Sequence, residues 1–175
     1  MARHVFTFTL IFLAALSRLL PHLPNFAPIT ALALFGGMYL DKKHTFIVPI
    51  AAMLISDYFI GFYPGMIWVY ASFIAIGFIG LLLRNHRGVV QTVGATLAGS
   101  ILFFVVTNFG VWISSQVSYP HNVAGLVECY VAAIPFFRNT LLGDVVYVGA
   151  MFGLFELAKK FVPALQPDPV ASEIS

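Results

Sequence analysis

The sequence predicts an all-α integral membrane protein with six transmembrane helices and both termini in the cytoplasm. Three observations carry this. Of 175 residues, 60% are hydrophobic and only 9% are charged, where a soluble domain carries about 25% charged residues. Mean hydropathy is +0.93, and so apolar a chain has too little polar surface to face water on every side, so a bilayer is its natural solvent. The basic residues, finally, fall almost entirely into alternate breaks between the apolar runs. The net charge of +2 is too small to indicate a nucleic acid partner.

A membrane helix needs about 20 mostly apolar residues. The first span runs from Val5 to Leu20, short unless Arg18 reaches outward along its stem. Its "MARHVFTFTLIFLAALS" start has the look of a signal peptide, but Leu16 before Ser17 makes a poor cleavage site, so it reads as a retained span. The second, Pro28–Leu40, is shorter and sits tilted among neighbours. The third, Thr45–Phe62, carries Pro49 in its first turns, where proline is better tolerated. "YPG" (63–65) turns the chain into the fourth, Met66–Leu83. "RNHRG" (84–88) leads to the fifth, Gly88–Ser114. The sixth is Val131–Phe161, with Pro135 near its start. The length fits one domain, residues 1–162. The tail 163–175 has three prolines and no apolar period, and reads as disordered and cytoplasmic.

Threading six spans from a cytoplasmic N-terminus puts Arg3, Lys42, Lys43, Arg84, Arg87, Lys159 and Lys160 inside. Only Arg18 and Arg138 fall outside. The positive-inside rule then fixes the orientation.

Polar residues gather toward the other face. Arg18, His22 and Asn25 lie between spans one and two. Asp57 lies near the outer end of span three. Thr107, Asn108 and Trp112 lie in the outer part of span five. Arg138 and Asn139 open span six, and Asp144 lies deeper. Ionisable groups within a bilayer usually face a bundle interior or a wet cavity. The expectation is a polar concavity open to the outside above an apolar seal. Its solute-binding residues are Arg18, His22, Asn25, Asp57, Asn108, Trp112, Arg138 and Asn139, under a lid formed by residues 115–130. Ser100, Phe104, Asn108 and Trp112 repeat every four residues and share one stripe. Thr140 and Asp144 share a face of span six. Asp57 also has a structural reading, as an ion pair with Arg18 or Arg138.

Four blocks in order, "PHLPNFAPITALALFGG" (21–37), "SDYFIG" (56–61), "FFVVTNFGVW" (103–112) and "GLVECYVAAIPFFRNTLLGD" (125–144), resemble an uncharacterised bacterial membrane-protein family. That family is related to the S components of energy-coupling-factor (ECF) vitamin transporters. The resemblance covers Arg18 to Phe155. It implies an S-component-like bundle in the bacterial inner membrane, with a vitamin-sized solute under a loop lid. It also implies an ECF energising module as partner. The first helix departs from the pattern: the Ala-x-x-x-Ala docking motif is absent from "VFTFTLIFLAA", which leaves a solitary transporter open. Some solitary relatives handle cobalamin through a cysteine, a role open to Cys129, although it falls in another block.

The functional expectation is therefore uptake of a small nutrient solute, with the lipid bilayer as surroundings and no cofactor or metal called for. No GxxxxGK[ST] motif is present for ATP hydrolysis. The alternatives are a structural scaffold without ligand, and a membrane enzyme using His121, Glu128, Cys129 or Asp144. The enzyme reading has no motif behind it, and the expectation is a non-enzyme. Lone Cys129 has no internal disulfide partner.

Overall fold

The computed structural model describes residues 2–41, 43–114 and 119–165. Among them are six α-helices and no strand. These are α1 (Ala2–Leu16), α2 (Ile29–Tyr39), α3 (Ile47–Ile60), α4 (Met66–Leu82), α5 (Val89–Ile113) and α6 (Val123–Phe161). A 3₁₀ turn, Ser17–Leu19, extends α1, and another, Pro163–Leu165, follows α6. The number and order of helices agree with the sequence. Two of them, α5 and α6, are long and apolar enough to cross a membrane; the other four are shorter apolar helices. Lys42, residues 115–118 of the expected lid and most of the expected tail lie outside the described residues.

The helices run up and down. One end is fixed by contacts among His4 of α1, Asp41 after α2 and His44 before α3. At the same end Arg87, before α5, lies 4.9 Å over the Tyr39 ring of α2. The Tyr39 hydroxyl donates to Glu156 of α6 at 2.8 Å. Arg84 follows α4 and donates to the Gly37 and Leu40 carbonyls at the C-terminus of α2 and to Thr45. A cation there meets the negative end of the helix dipole.

The centre is α2. Its sequence is apolar all round, and every residue from Thr30 to Tyr39 is buried, as expected of a helix surrounded by others. It packs against α1, α3, α4, α5 and α6. Phe35 meets Phe152 and Phe155 of α6 edge-on at 5.2 and 5.5 Å. The approach to α4 is closest at glycines. A Cβ on Gly37 would fall against the Gly77 carbonyl oxygen and 2.8 Å from Gly80 Cα. Helices meet this closely only where small residues line the crossing.

The periphery is apolar. Along α5, Val89, Val93, Leu97, Ile101, Val105, Phe109 and Ile113 are all exposed. At four-residue spacing they follow a line that winds about 240° around the helix along its length. A continuous exposed apolar face of this length marks contact with lipid or a partner rather than water.

α6 differs most from expectation. It begins at Val123, eight residues before the predicted start, because Asn122 caps it: its Oδ1 accepts from the Gly125 N–H at 3.0 Å. Glu128 and Cys129, expected in a loop, are helical. Pro135 sits inside a helix of 39 residues, about 58 Å long against a hydrocarbon core of about 30 Å.

Gly37→Ala is expected to lower thermal stability, since the new methyl meets backbone on α4 that has no rotamer to change. Overpacking of this kind costs about 1–3 kcal/mol. Comparing unfolding midpoints with those of Gly149→Ala, whose Cβ would meet nothing within 4 Å, checks it.

Candidate functional site

At the end opposite the basic residues lies a cavity of about 380 Å³. Its rim and walls come from the 20–28 segment, the turn after α3, and the outer parts of α5 and α6. The polar lining is Arg18, His22, Asn25, Tyr63, Thr107 and Asn108, with Thr30, Thr140 and Asp144 deeper. Ile29, Ile60, Val69, Phe103 and Val111 supply the apolar walls.

The 3₁₀ turn aims Arg18 inward. Its Nη2 donates to Asp57 Oδ1 at 2.6 Å and its Nη1 to Ser56 Oγ at 2.5 Å. Ser56 in turn donates to the Met53 carbonyl at 2.8 Å. Tyr70 of α4 donates to Asp57 Oδ2 at 2.6 Å. Arg18 is 8% exposed and Asp57 0%. A charge buried this deeply needs a partner and filled hydrogen bonds, and both oxygens of Asp57 are occupied. Of the two partners open to Asp57 in the sequence, the structure selects Arg18. Burial, then the Asp57 charge, push the Tyr63 phenol above its ordinary value, so it faces the cavity as a neutral donor and acceptor.

The 20–28 segment is anchored to α6. Asn139 Nδ2 donates to the Pro24 carbonyl at 3.0 Å. The Phe26 ring packs 5.7 Å from that of Tyr147. Gly143 leaves room for the Phe26–Ala27 backbone, which a Cβ would meet at 3.3 Å. Asn25 adopts φ +63°, a left-handed conformation that asparagine tolerates better than most residues. His22 Nδ1 lies 2.9 Å from the Leu23 carbonyl oxygen.

Of the eight residues expected to bind solute, Arg18, His22, Asn25 and Asn108 line this cavity. Asp57 lies behind Arg18 and is fully engaged by it and Tyr70. Asn139 holds the rim from outside. Arg138 is exposed on α6, away from the cavity. Trp112 points elsewhere: its Nε1 donates to the Pro120 carbonyl at 3.0 Å and its ring meets His121 edge-on. The four-residue stripe fails there because each step of four advances about 40° around a helix. From Ser100 to Trp112 the drift reaches about 120°, so Phe103, Thr107 and Val111 take the inward face instead. Cys129 is buried against α5, its Sγ 3.4 Å from the Asn108 carbonyl, and does not line the cavity. Among the described residues, no three of His, Cys, Asp and Glu are grouped to hold a metal ion.

Tyr63, Thr30, Thr140 and Asp144 were not expected in the lining. The shared face of Thr140 and Asp144 was visible as a four-residue spacing. Tyr63 was hidden in a turn motif read only for its geometry.

Below it the bundle is filled by an apolar core that includes Phe35, Met38, Phe152 and Phe155. A second cavity of about 420 Å³ opens between α5 and α6 toward the basic end. Its walls include Val89, Val93, Leu97, Val145, Val148 and Phe152, with Arg87 and Glu156 at the mouth. Asp144 lines both cavities.

Fold and site together define a helical protein with two membrane-length helices and a polar cavity at one end of the bundle. The chain belongs to a family of unknown function, DUF6580, whose match spans residues 1–165. No curated protein and no solved structure matches it.

Asn139→Ala is expected to loosen the 20–28 segment without unfolding the bundle. One hydrogen bond is worth about 1 kcal/mol. Amide exchange of residues 20–28 should quicken several-fold while exchange in α2 stays as in the wild type.

Proposed function

We propose that this chain is a multi-pass protein of the bacterial inner membrane that captures a small nutrient solute in the outer cavity for uptake. In this reading all six helices cross the bilayer, both termini are cytoplasmic, and the cavity opens outward. Seven of nine basic residues at one end support the orientation. The exposed apolar stripe on α5 supports lipid surroundings. The short helices cross as part of a bundle, with polar ends and loops completing the span.

The observation that carries the function is the cavity itself. Its volume falls in the range of small-molecule sites, about 300–1,000 Å³, and its lining has their character, apolar walls with a few convergent polar groups. Asp57 balances the charge of Arg18, so the cavity favours a neutral or weakly charged solute with a flat apolar body and a hydrogen-bonding edge. A vitamin-sized heterocycle fits that description, in keeping with the resemblance to S components. A corrinoid is too large for it, and Cys129 is turned away from it. Coupling to an ECF energising module has no support from α1, whose small residues Ala14 and Ala15 lie at its outer end.

The scaffold reading draws on the Arg18–Asp57 pair, which holds helices together without any ligand. An open polar volume beside that pair favours a receptor. The enzyme reading loses ground because Glu128, His121 and Cys129 do not converge on the cavity.

Thermal-shift titration of the purified protein against vitamins, purines and related heterocycles tests the proposal. At least one compound should raise the unfolding midpoint in a concentration-dependent way. Asn108→Leu should weaken its binding at least tenfold, a loss of about 1.4 kcal/mol, while Arg138→Ala should leave binding unchanged. A blank panel, or equal effects of the two variants, counts against the cavity as a receptor.

A further inference from the structure

Asp144 is 1% exposed and lies near the middle of α6. Its Oδ1 is a buried oxygen with no hydrogen-bond partner among the described residues. Its Oδ2 lies 2.5 Å from Ser100 Oγ of α5. Thr30 of α2 is turned toward the same carboxyl. The hydroxyls of Ser100 and Thr30 are the donors beside a carboxyl otherwise removed from water.

The hydrogen bonds around Asp144 fit both of its protonation states. Ser100 Oγ also lies 2.8 Å from the Thr96 carbonyl oxygen. A hydroxyl has one proton to donate, and a carbonyl can only accept. With Asp144 a carboxylate, Ser100 donates to it, and the Thr96 carbonyl keeps the backbone N–H of Ser100 that the helix gives it. With Asp144 protonated, its Oδ2–H donates to Ser100 Oγ and Ser100 donates to Thr96 O, so the same contacts serve both states.

Position gives the use. Asp144 borders both the outer cavity and the groove between α5 and α6. On the outer side the charged and titratable groups are Arg18, with Asp57 behind it, His22 and Tyr63. On the inner side they are Arg87, Tyr39 and Glu156. From α2 and α5 the carboxyl meets Thr30 and Ser100, neither of which titrates in the ordinary range. Between the two groups, Asp144 is the acid that both cavities share.

We propose that Asp144 is a reversible proton-binding site at the partition between the two cavities, through which solute uptake is coupled to a proton gradient. The coupling rests on the transport reading above; the proton site does not. A proton from water in the outer cavity forms the Oδ2–H bond. It leaves to water at the mouth of the groove beside the exposed Arg87 and Glu156, which restores the carboxylate. No oxidant, nucleotide or metal takes part.

Infrared difference spectroscopy of the full chain in nanodiscs tests this with protons alone. Wild type should show a protonated-carboxyl C=O band that shifts in deuterium oxide, grows on mild acidification and disappears reversibly at alkaline pH. Asp144→Asn should lack it. Ser100→Ala, which keeps the carboxyl but removes its partner, should move the band's frequency and its pH midpoint. A band missing at every pH at which wild type stays folded overturns the proposal. So does a band indifferent to pH and deuterium oxide, which marks a sealed structural acid, or one unmoved by Ser100→Ala. The measurement needs no solute, so a titrating carboxyl beside a blank thermal-shift panel would sink the receptor reading alone. The reverse result would sink only the proton site.

Discussion

The buried ion pair between Arg18 and Asp57 is the constraint on which the outer end of the molecule depends. It joins the turn after α1 to α3, and through Tyr70 it reaches α4. Two opposite charges removed from water hold a defined geometry only when their remaining hydrogen bonds are filled, as Ser56 and Tyr70 fill them here. Such a pair contributes modest net stability, yet loss of one partner leaves an unpaired buried charge. The cavity wall behind His22 and Asn25 is therefore fixed by electrostatics, in a fold whose other contacts are mostly apolar and less directional.

The rest of the architecture follows from a short helix at the centre. α2 has 11 residues, about 16 Å of helix, and buries nearly all of them. Its glycine crossing with α4 draws those two helices together, and its aromatic contacts with α6 set the other side. At its C-terminus, Arg84 covers the carbonyls that have no helical partner. At its N-terminus, Thr30 meets the two cavities' shared acid. Around α2 the bundle is filled by apolar side chains, and Asp144 with its hydroxyl neighbours borders both cavities beside that core.

Much of this was legible in the sequence. Six apolar runs and the breaks between them gave the helices in order, and "YPG" marked a real turn, with Gly65 at φ +86°. Alternation of basic residues agrees with the gathering of Arg84, Arg87 and Lys159 at one end of the bundle. The polar segment after α1 pointed to Arg18, His22 and Asn25, and Asn108 stood out as an amide on an apolar helix. What escaped depended on rotation and on distant partners. Which group Arg18 would choose is decided across three helices, beyond any local pattern. Trp112 was lost because a spacing of four drifts on a helix of 3.6 residues per turn. Asn122 falls within the expected lid 115–130, although an asparagine before an apolar run is also a helix cap. Asn139 was placed in the cavity, where its side chain instead holds a backbone carbonyl across the rim.

A double-mutant cycle on Arg18→Met and Asp57→Leu, read as unfolding free energy of the full chain in nanodiscs, tests the central constraint most directly. Each single change should cost about 3–5 kcal/mol, and the double variant far less than the sum, because no charge is then left unpaired. Losses that simply add, with coupling within about 0.5 kcal/mol, would contradict the account.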